Sequence, residues 1–250
     1  MFIDTHCHIF KEYYDNITEV INEMKDNIMI VSGYNSSSNK EVIELVNKYP
    51  NVYGTIGLHP EEVNNISEND FDFIIENINN PKIVGIGEIG LDYHYVSDNK
   101  ELQKDIFVKQ MDIARKYNKT VVIHSRDAIV DTVNIIKEYQ NLKIVMQWYS
   151  SSLEVARDLI KMNVKLGIGG VVTFKNGVKL KEVVQNVPIE NLLLETDSPY
   201  MSPEPLRGKQ NKPYNCYLIA EKIAELKGIS LESVLEITTS NAVSQFDLKL

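Results

Sequence analysis

The sequence predicts a (β/α)8 barrel, and three observations predict it. Short apolar, β-branched runs alternate with helical periods along the whole chain. The runs are apolar on both faces, as strands of a parallel sheet covered on each side must be. The length, 250 residues, is about what eight strand–helix units need.

The runs fall at 2–4, 28–32, 52–58, 83–88, 121–124, 143–147, 165–168 and 192–195. Helical periods lie between them at 39–49, 99–117, 127–139, 153–162 and 176–187. The period 99–117 is typical, with Leu102, Ile106, Phe107, Met111, Ile113 and Ala114 recurring at helical spacing. After the last strand, 214–227 and 231–246 read as two closing helices, begun near the capping candidates Asn215 and Ser230. An open doubly wound sheet is the competing architecture. It usually carries a Gly-rich turn after its first strand, where this chain has His6-Cys7-His8. With no internal repeat and no dividing linker, residues 1–250 read as a single barrel domain.

Charge and cysteine usage narrow the function. The net charge is −9, so no overall positive field attracts a polyanion, and a nucleic-acid substrate needs a local basic patch or a metal. No run of about 18 apolar residues predicts a membrane span, and no basic-then-apolar start predicts a signal peptide. Only Cys7 and Cys216 are present, which makes no disulfide framework and predicts a reducing cytoplasm.

In a barrel of this class the active site lies at the carboxyl ends of the strands, and those ends are rich in ligand-type residues. The first strand runs into His6 and His8, and alternate residues of a strand share a face, so both imidazoles can meet one metal at about 2.1 Å. The third strand ends at His59-Pro60, the fourth at Glu88, the fifth at His124, the sixth at Gln147 and the eighth at Glu195-Thr196-Asp197. Four of the five histidines fall at strand ends; His94 follows Glu88 by six residues. His6, His8, Glu88, His124 and Asp197 together predict a metal centre.

These residues resemble the TatD family of metal-dependent hydrolases and deoxyribonucleases, within the amidohydrolase superfamily of barrels. The resemblance spans nearly the whole chain. It rests on Phe2-Ile3-Asp4-Thr5-His6-Cys7-His8, Gly57-Leu58-His59-Pro60 and Gly85-Ile86-Gly87-Glu88-Ile89-Gly90-Leu91-Asp92-Tyr93. It continues through Val122-Ile123-His124-Ser125-Arg126-Asp127-Ala128 and Leu192-Leu193-Leu194-Glu195-Thr196-Asp197-Ser198-Pro199, and into the segment from Pro203 to Pro213.

The resemblance implies that His6, His8 and Asp197 hold a first divalent ion, that Glu88 bridges it to a second, and that His124 binds the second. It implies Glu88 and Asp197 as catalytic carboxylates, Asp197 also taking a proton from the attacking water. Asp4 and Glu195 share strand parity with the ligands and either orient them or are buried acids satisfied by backbone amides. Arg126 either contacts a phosphate oxygen or pairs with Asp127 or another acid. His59 is either a phosphate contact or proton carrier, or a structural hydrogen bond at the rim. Arg207, Lys209 and Lys212 form a small basic group that either faces substrate or is solvated.

The chain departs from the family where the sixth strand ends. There the family usually has His-Cys-Phe-Ser-Gly, and this chain has Gln147-Trp148-Tyr149-Ser150-Ser151. Phe10 stands where an acid or amide is usual, Thr120 where proline is common, and Glu61 follows His59-Pro60 where histidine is common. Gln147 offers only an amide oxygen, so the second site, for magnesium, manganese or zinc, is expected to be weak. The expected activity is phosphodiester hydrolysis, with DNA or another phosphodiester as partner. The rivals are hydrolysis of a small ester, amide or lactone by the same cradle, and a metal-binding member with little catalysis.

Overall fold

Strand after strand forms where the apolar runs lie, and a helix follows each. The computed structural model describes residues 1–94 and 98–250. The strands are β1 (Ile3–Cys7), β2 (Ile28–Ser32), β3 (Val52–Ile56), β4 (Ile83–Asp92), β5 (Thr120–Arg126), β6 (Ile144–Met146), β7 (Val164–Ile168) and β8 (Leu192–Leu194). They form one eight-stranded sheet in the order β1 to β8. The strands are buried along nearly their whole length, as a parallel sheet covered on both faces requires, except that β5 emerges over its last three residues. This is the predicted (β/α)8 barrel class.

The helices are α1 (Ile17–Glu23), α2 (Ser36–Lys48), α3 (Glu68–Asn77), α4 (Lys100–Tyr117), α5 (Ile129–Lys137), α6 (Leu153–Lys161), α7 (Val178–Asn186), α8 (Cys216–Lys227) and α9 (Leu231–Phe246). Of the two proposed caps, Ser230 accepts the Ser233 amide at the start of α9. Asn215 makes no side-chain cap bond on α8; its amide instead donates to Asn211 Oδ1 at 2.8 Å. No helix among the described residues is long and apolar enough to cross a membrane.

The chain divides into two compact units, Met1–Val31 with Trp148–Leu250, and Ser32–Gln147. In the first unit β1 pairs with β2 (Ile3 against Ile28) and β7 with β8 (Leu166 against Leu192), all parallel. β8 also returns to β1. The Thr5 hydroxyl donates to Leu194 O at 3.0 Å, the Asp197 amide to His6 O at 3.0 Å and the His8 amide to Ser198 O at 2.7 Å.

In the second unit β3, β4, β5 and β6 pair in succession. β4 runs to Asp92, four residues beyond the expected end at Glu88. Gly90 is what carries it there. Its φ is +142°, and a Cβ at this position would lie 2.0 Å from His124 O, so only glycine fits beside β5.

Candidate metal centre

Each donor group is built within one unit. In the first, β1 delivers His6 and His8 to one face. Their Nε2 atoms lie 3.2 Å apart, and Asp197 Oδ1 is 3.6 Å from the one and 3.3 Å from the other. Donors bound to one cation at about 2.1 Å are separated by roughly 3.0–3.4 Å. The three residues therefore have the spacing and chemistry of a metal site. Both histidines are buried, while the Asp197 side chain is 18% exposed.

Buried polar bonds hold this geometry. Asp4 Oδ1 accepts the His6 amide at 3.2 Å and the Thr196 amide at 3.0 Å, and its Oδ2 accepts the Thr196 hydroxyl at 2.5 Å. Asp4 thus fastens the backbone of one ligand to the approach of another. Burial pushes its carboxyl up to about 7, against the hydrogen bonds that lower it. Asn211 donates to Thr196 O at 2.9 Å and Tyr200 O at 2.8 Å, fixing the bend on which Asp197 sits at φ +51°. Glu195 Oε1 accepts the Trp148 amide at 2.5 Å. Of the two roles open for Asp4 and Glu195, these bonds favour the backbone one. Phe10 is fully buried, its ring 6.1 Å from that of His8.

In the second unit Glu88 Oε1 lies 2.9 Å from His124 Nδ1 and 3.6 Å from His59 Nε2. Asp92 Oδ2 takes the other ring nitrogen of His124 at 2.9 Å. A carboxylate on the far nitrogen fixes the tautomer and orientation of a ligating histidine. His124 is thereby aimed at Glu88 through Nδ1. Burial lowers its pKa, but the bonds to Asp92 and Glu88 outweigh this and push it up to about 9.

His59, Glu88 and His124 present donors within 4.8 Å of one another, yet His59 does not suit a ligand role. Its Nδ1 accepts the Glu61 amide at 3.3 Å, so the neutral ring carries its proton on Nε2. That nitrogen is a hydrogen-bond donor, not a metal donor.

Two glutamines of α4 set the strand ends that bear these groups. Gln110 accepts the Leu58 amide at 2.8 Å and donates to Leu58 O at 3.0 Å, which places His59. Gln103 does the same for Asp92, at 2.9 Å in both directions. Asn39 of α2 clasps Gly57 likewise, at 3.1 and 2.8 Å. Each buried amide replaces the partner a strand end has lost, satisfying one donor and one acceptor.

The remaining expected residues are placed as follows. Gln147 is buried one residue past β6, its backbone N–H donating to Ile123 O at 3.0 Å. Arg126 ends β5 and is exposed. Asp127, one candidate partner for it, lies 2.9 Å from His94 Nδ1. The expected basic group is dispersed in its contacts: Arg207 lies 4.4 Å over the Phe174 ring, and Lys212 pairs with Glu23 at 2.5 Å.

Asp92, Gln103, Gln110, Asn39 and Asn211 had no assigned role in the sequence reading. Asp92 had a signal, since it keeps the parity of Glu88 if the strand continues.

A (β/α)8 barrel whose strand ends carry such donors defines a metal-dependent hydrolase. Comparison with known proteins agrees. The family model described as TatD related DNase matches residues 3–247. The chain is 41% identical to the metal-dependent hydrolase YabD of Bacillus subtilis, whose activity is uncharacterised, over 98% of this chain and 99% of that one. It is 29% identical to the human deoxyribonuclease TATDN3, over 98% and 94%. Among solved structures, the TatD homologue YjjV of Escherichia coli superposes with a TM-score of 0.92 at 26% identity, covering 99% and 98%. The chain belongs to the TatD family.

Proposed function

We propose that this chain hydrolyses phosphodiester bonds in DNA, with divalent cations held by His6, His8 and Asp197 and by Glu88 and His124. The observation that carries the reading is the spacing of the first three donors, 3.2 to 3.6 Å, which is that of ligands around one ion. The family description and the name of the human relative favour DNA over other esters.

A bound divalent cation supplies Lewis acidity and makes water a stronger acid. The chain's own residues do the rest. Asp197, the partly exposed member of its group, takes the proton of the attacking water. His59, with its proton on Nε2, donates to a phosphoryl oxygen, and the fork of Arg126 suits another. Glu88 lends negative charge to its group. Gln147 brings none, which leaves the second ion, magnesium, manganese or zinc, the more weakly held. Two free, buried thiols suit a reducing cytoplasm.

The deciding assay sets metal-loaded protein on single-stranded DNA against a panel of small esters, amides and lactones. DNA should be cleaved at least tenfold faster than any of them, and Glu88→Gln should lose at least about a hundredfold. Turnover of a small ester with DNA untouched overturns the reading, as does near-normal activity of Glu88→Gln.

A further inference from the structure

We infer that the cavity beside Trp148 is a subsite for a single nucleobase of the substrate. This rests on the phosphodiester reading and adds to it a site where the base, not the phosphate, is held.

The cavity has a volume of about 360 Å³, near the lower limit for small-molecule pockets and enough for one planar ring system. Trp148, Val171, Val178 and Leu180 give it apolar walls, while Asn176 and Lys179 add polar groups. Val178 is 66% exposed, so an apolar side chain is left at an open mouth. Apolar walls with a few polar groups suit a heteroaromatic ring, whose faces are apolar and whose edge accepts and donates hydrogen bonds.

Trp148 is held in place. Its amide donates to the buried carboxylate of Glu195, and its backbone takes the left-handed conformation, φ +47°, which is uncommon for a bulky residue. The indole packs against Gly169, where a Cβ would lie 2.1 Å from Cζ3. A fixed aromatic wall gives up little freedom when a ring stacks on it.

The cavity also lies at the strand ends that carry the chemistry. Gly169 directly follows β7, and β7 and β8 are parallel with Ile168 beside Leu194. Asp197 lies three residues past the end of β8, so cavity and carboxylate share the same end of these paired strands. In a chain of net charge −9, exposed Lys175 and Lys179 lie on this segment, and Arg207 covers Phe174 between them and the turn at Gly170–Thr173. Those cations suit the phosphate attached to a seated base. Trp148 stands where the family usually has cysteine.

Trp148 is the sole tryptophan of the sequence, so tryptophan emission, excited at the red edge where tyrosine does not absorb, reports this site alone. Deoxyadenosine, which has no phosphate for a cation to hold, should change the emission saturably in the millimolar range. Deoxyribose 5-phosphate and inorganic phosphate should not. Val178→Glu, at an exposed position, should weaken deoxyadenosine binding about tenfold. By calorimetry Trp148→Ala should weaken it about tenfold as well, and Trp148→Phe should recover most of the loss.

No saturable change with deoxyadenosine overturns the subsite, and so does Val178→Glu binding within twofold of the wild type. An equal response to deoxyribose 5-phosphate also overturns it, since the base would then be irrelevant. Saturable nucleoside binding by protein that fails to cleave DNA would overturn the phosphodiester reading and leave the subsite standing.

Discussion

The two donor groups are built by different means. His6, His8 and Asp197 form a set with one carboxylate, and that set is fixed through backbone: Asp4 holds the His6 amide, and Asn211 and Thr196 hold the bend before Asp197. Glu88 and His124 form a set with two carboxylates on one ring, since Asp92 and Glu88 engage both nitrogens of His124. The ring nitrogens of the first group converge on a point with Asp197; in the second, both nitrogens of His124 are engaged by carboxylates, with which an incoming cation must compete. Ligand number and the partners of the ring nitrogens, rather than burial, distinguish the two groups.

The largest expected effect follows from breaking the first group. Asp197→Asn keeps size and removes the charge and the proton acceptor, so hydrolysis should fall about 10²–10³-fold. Elemental analysis of the purified variant should show less than one ion per chain. A variant that still carries its ion and most of its activity would remove Asp197 from both roles.

The second group should respond in its own way. Asp92→Ala frees the far nitrogen of His124, and loss of such an orienting carboxylate costs about 10–100-fold in metal affinity. Gln147→His should act in the opposite direction, supplying an imidazole where only an amide stands. Wild-type protein purified without added metal should carry close to one ion, with manganese or magnesium stimulating it further. Two tightly held ions in the untreated wild type, measured by elemental analysis, would erase the contrast between the groups.

Most of the fold was legible in the sequence, and the exceptions have physical causes. All eight strands were readable because runs buried on both faces are continuously apolar. α1 spans seven residues and buries only Val20 and Ile21, and α3 buries only Phe71 and Ile74, so neither carries a strong helical period. Asp92 was hidden by Gly90, which reads as a strand breaker and is in fact the residue that lets β4 pass His124. Gln103 and Gln110 share the buried face of α4 with Phe107 and Met111. Polar residues within an apolar stripe are a signal, but what they clasp depends on chain brought near by the fold.

Those clasps give the next effect in size. Gln110→Ala leaves the Leu58 amide and carbonyl without their partner, and a buried group so stranded costs about 1–3 kcal/mol. The total, roughly 2–6 kcal/mol, should lower Tm by several degrees or more in a chain of this length. It should also disturb His59 before it disturbs His6 and His8. Metal retained at one ion per chain with a reduced Tm is the expected pair of results; an unchanged Tm would mean that water replaces the glutamine.

The smallest effect concerns how a DNA substrate of the proposed reaction would be held, and charge sets it. The net charge is −9 and Lys212 is paired to Glu23, so no broad basic face is expected to neutralise phosphates. Arg126, Arg207 and the lysines near the Trp148 cavity make two or three phosphate contacts plausible in number. Each contact on single-stranded DNA contributes about 0.7 to the slope of log affinity against log salt, so the slope should be shallow, about −1.5 to −2. Stacking of a base is insensitive to salt by comparison, so Trp148→Ala should weaken binding without changing the slope, whereas Arg126→Ala should lessen it by about one contact. Binding measured from 50 to 200 mM salt checks both. A slope steeper than about −4, that of six or more phosphates, would reveal a basic surface that net charge conceals and would shift the burden of binding away from the metal groups and the Trp148 cavity.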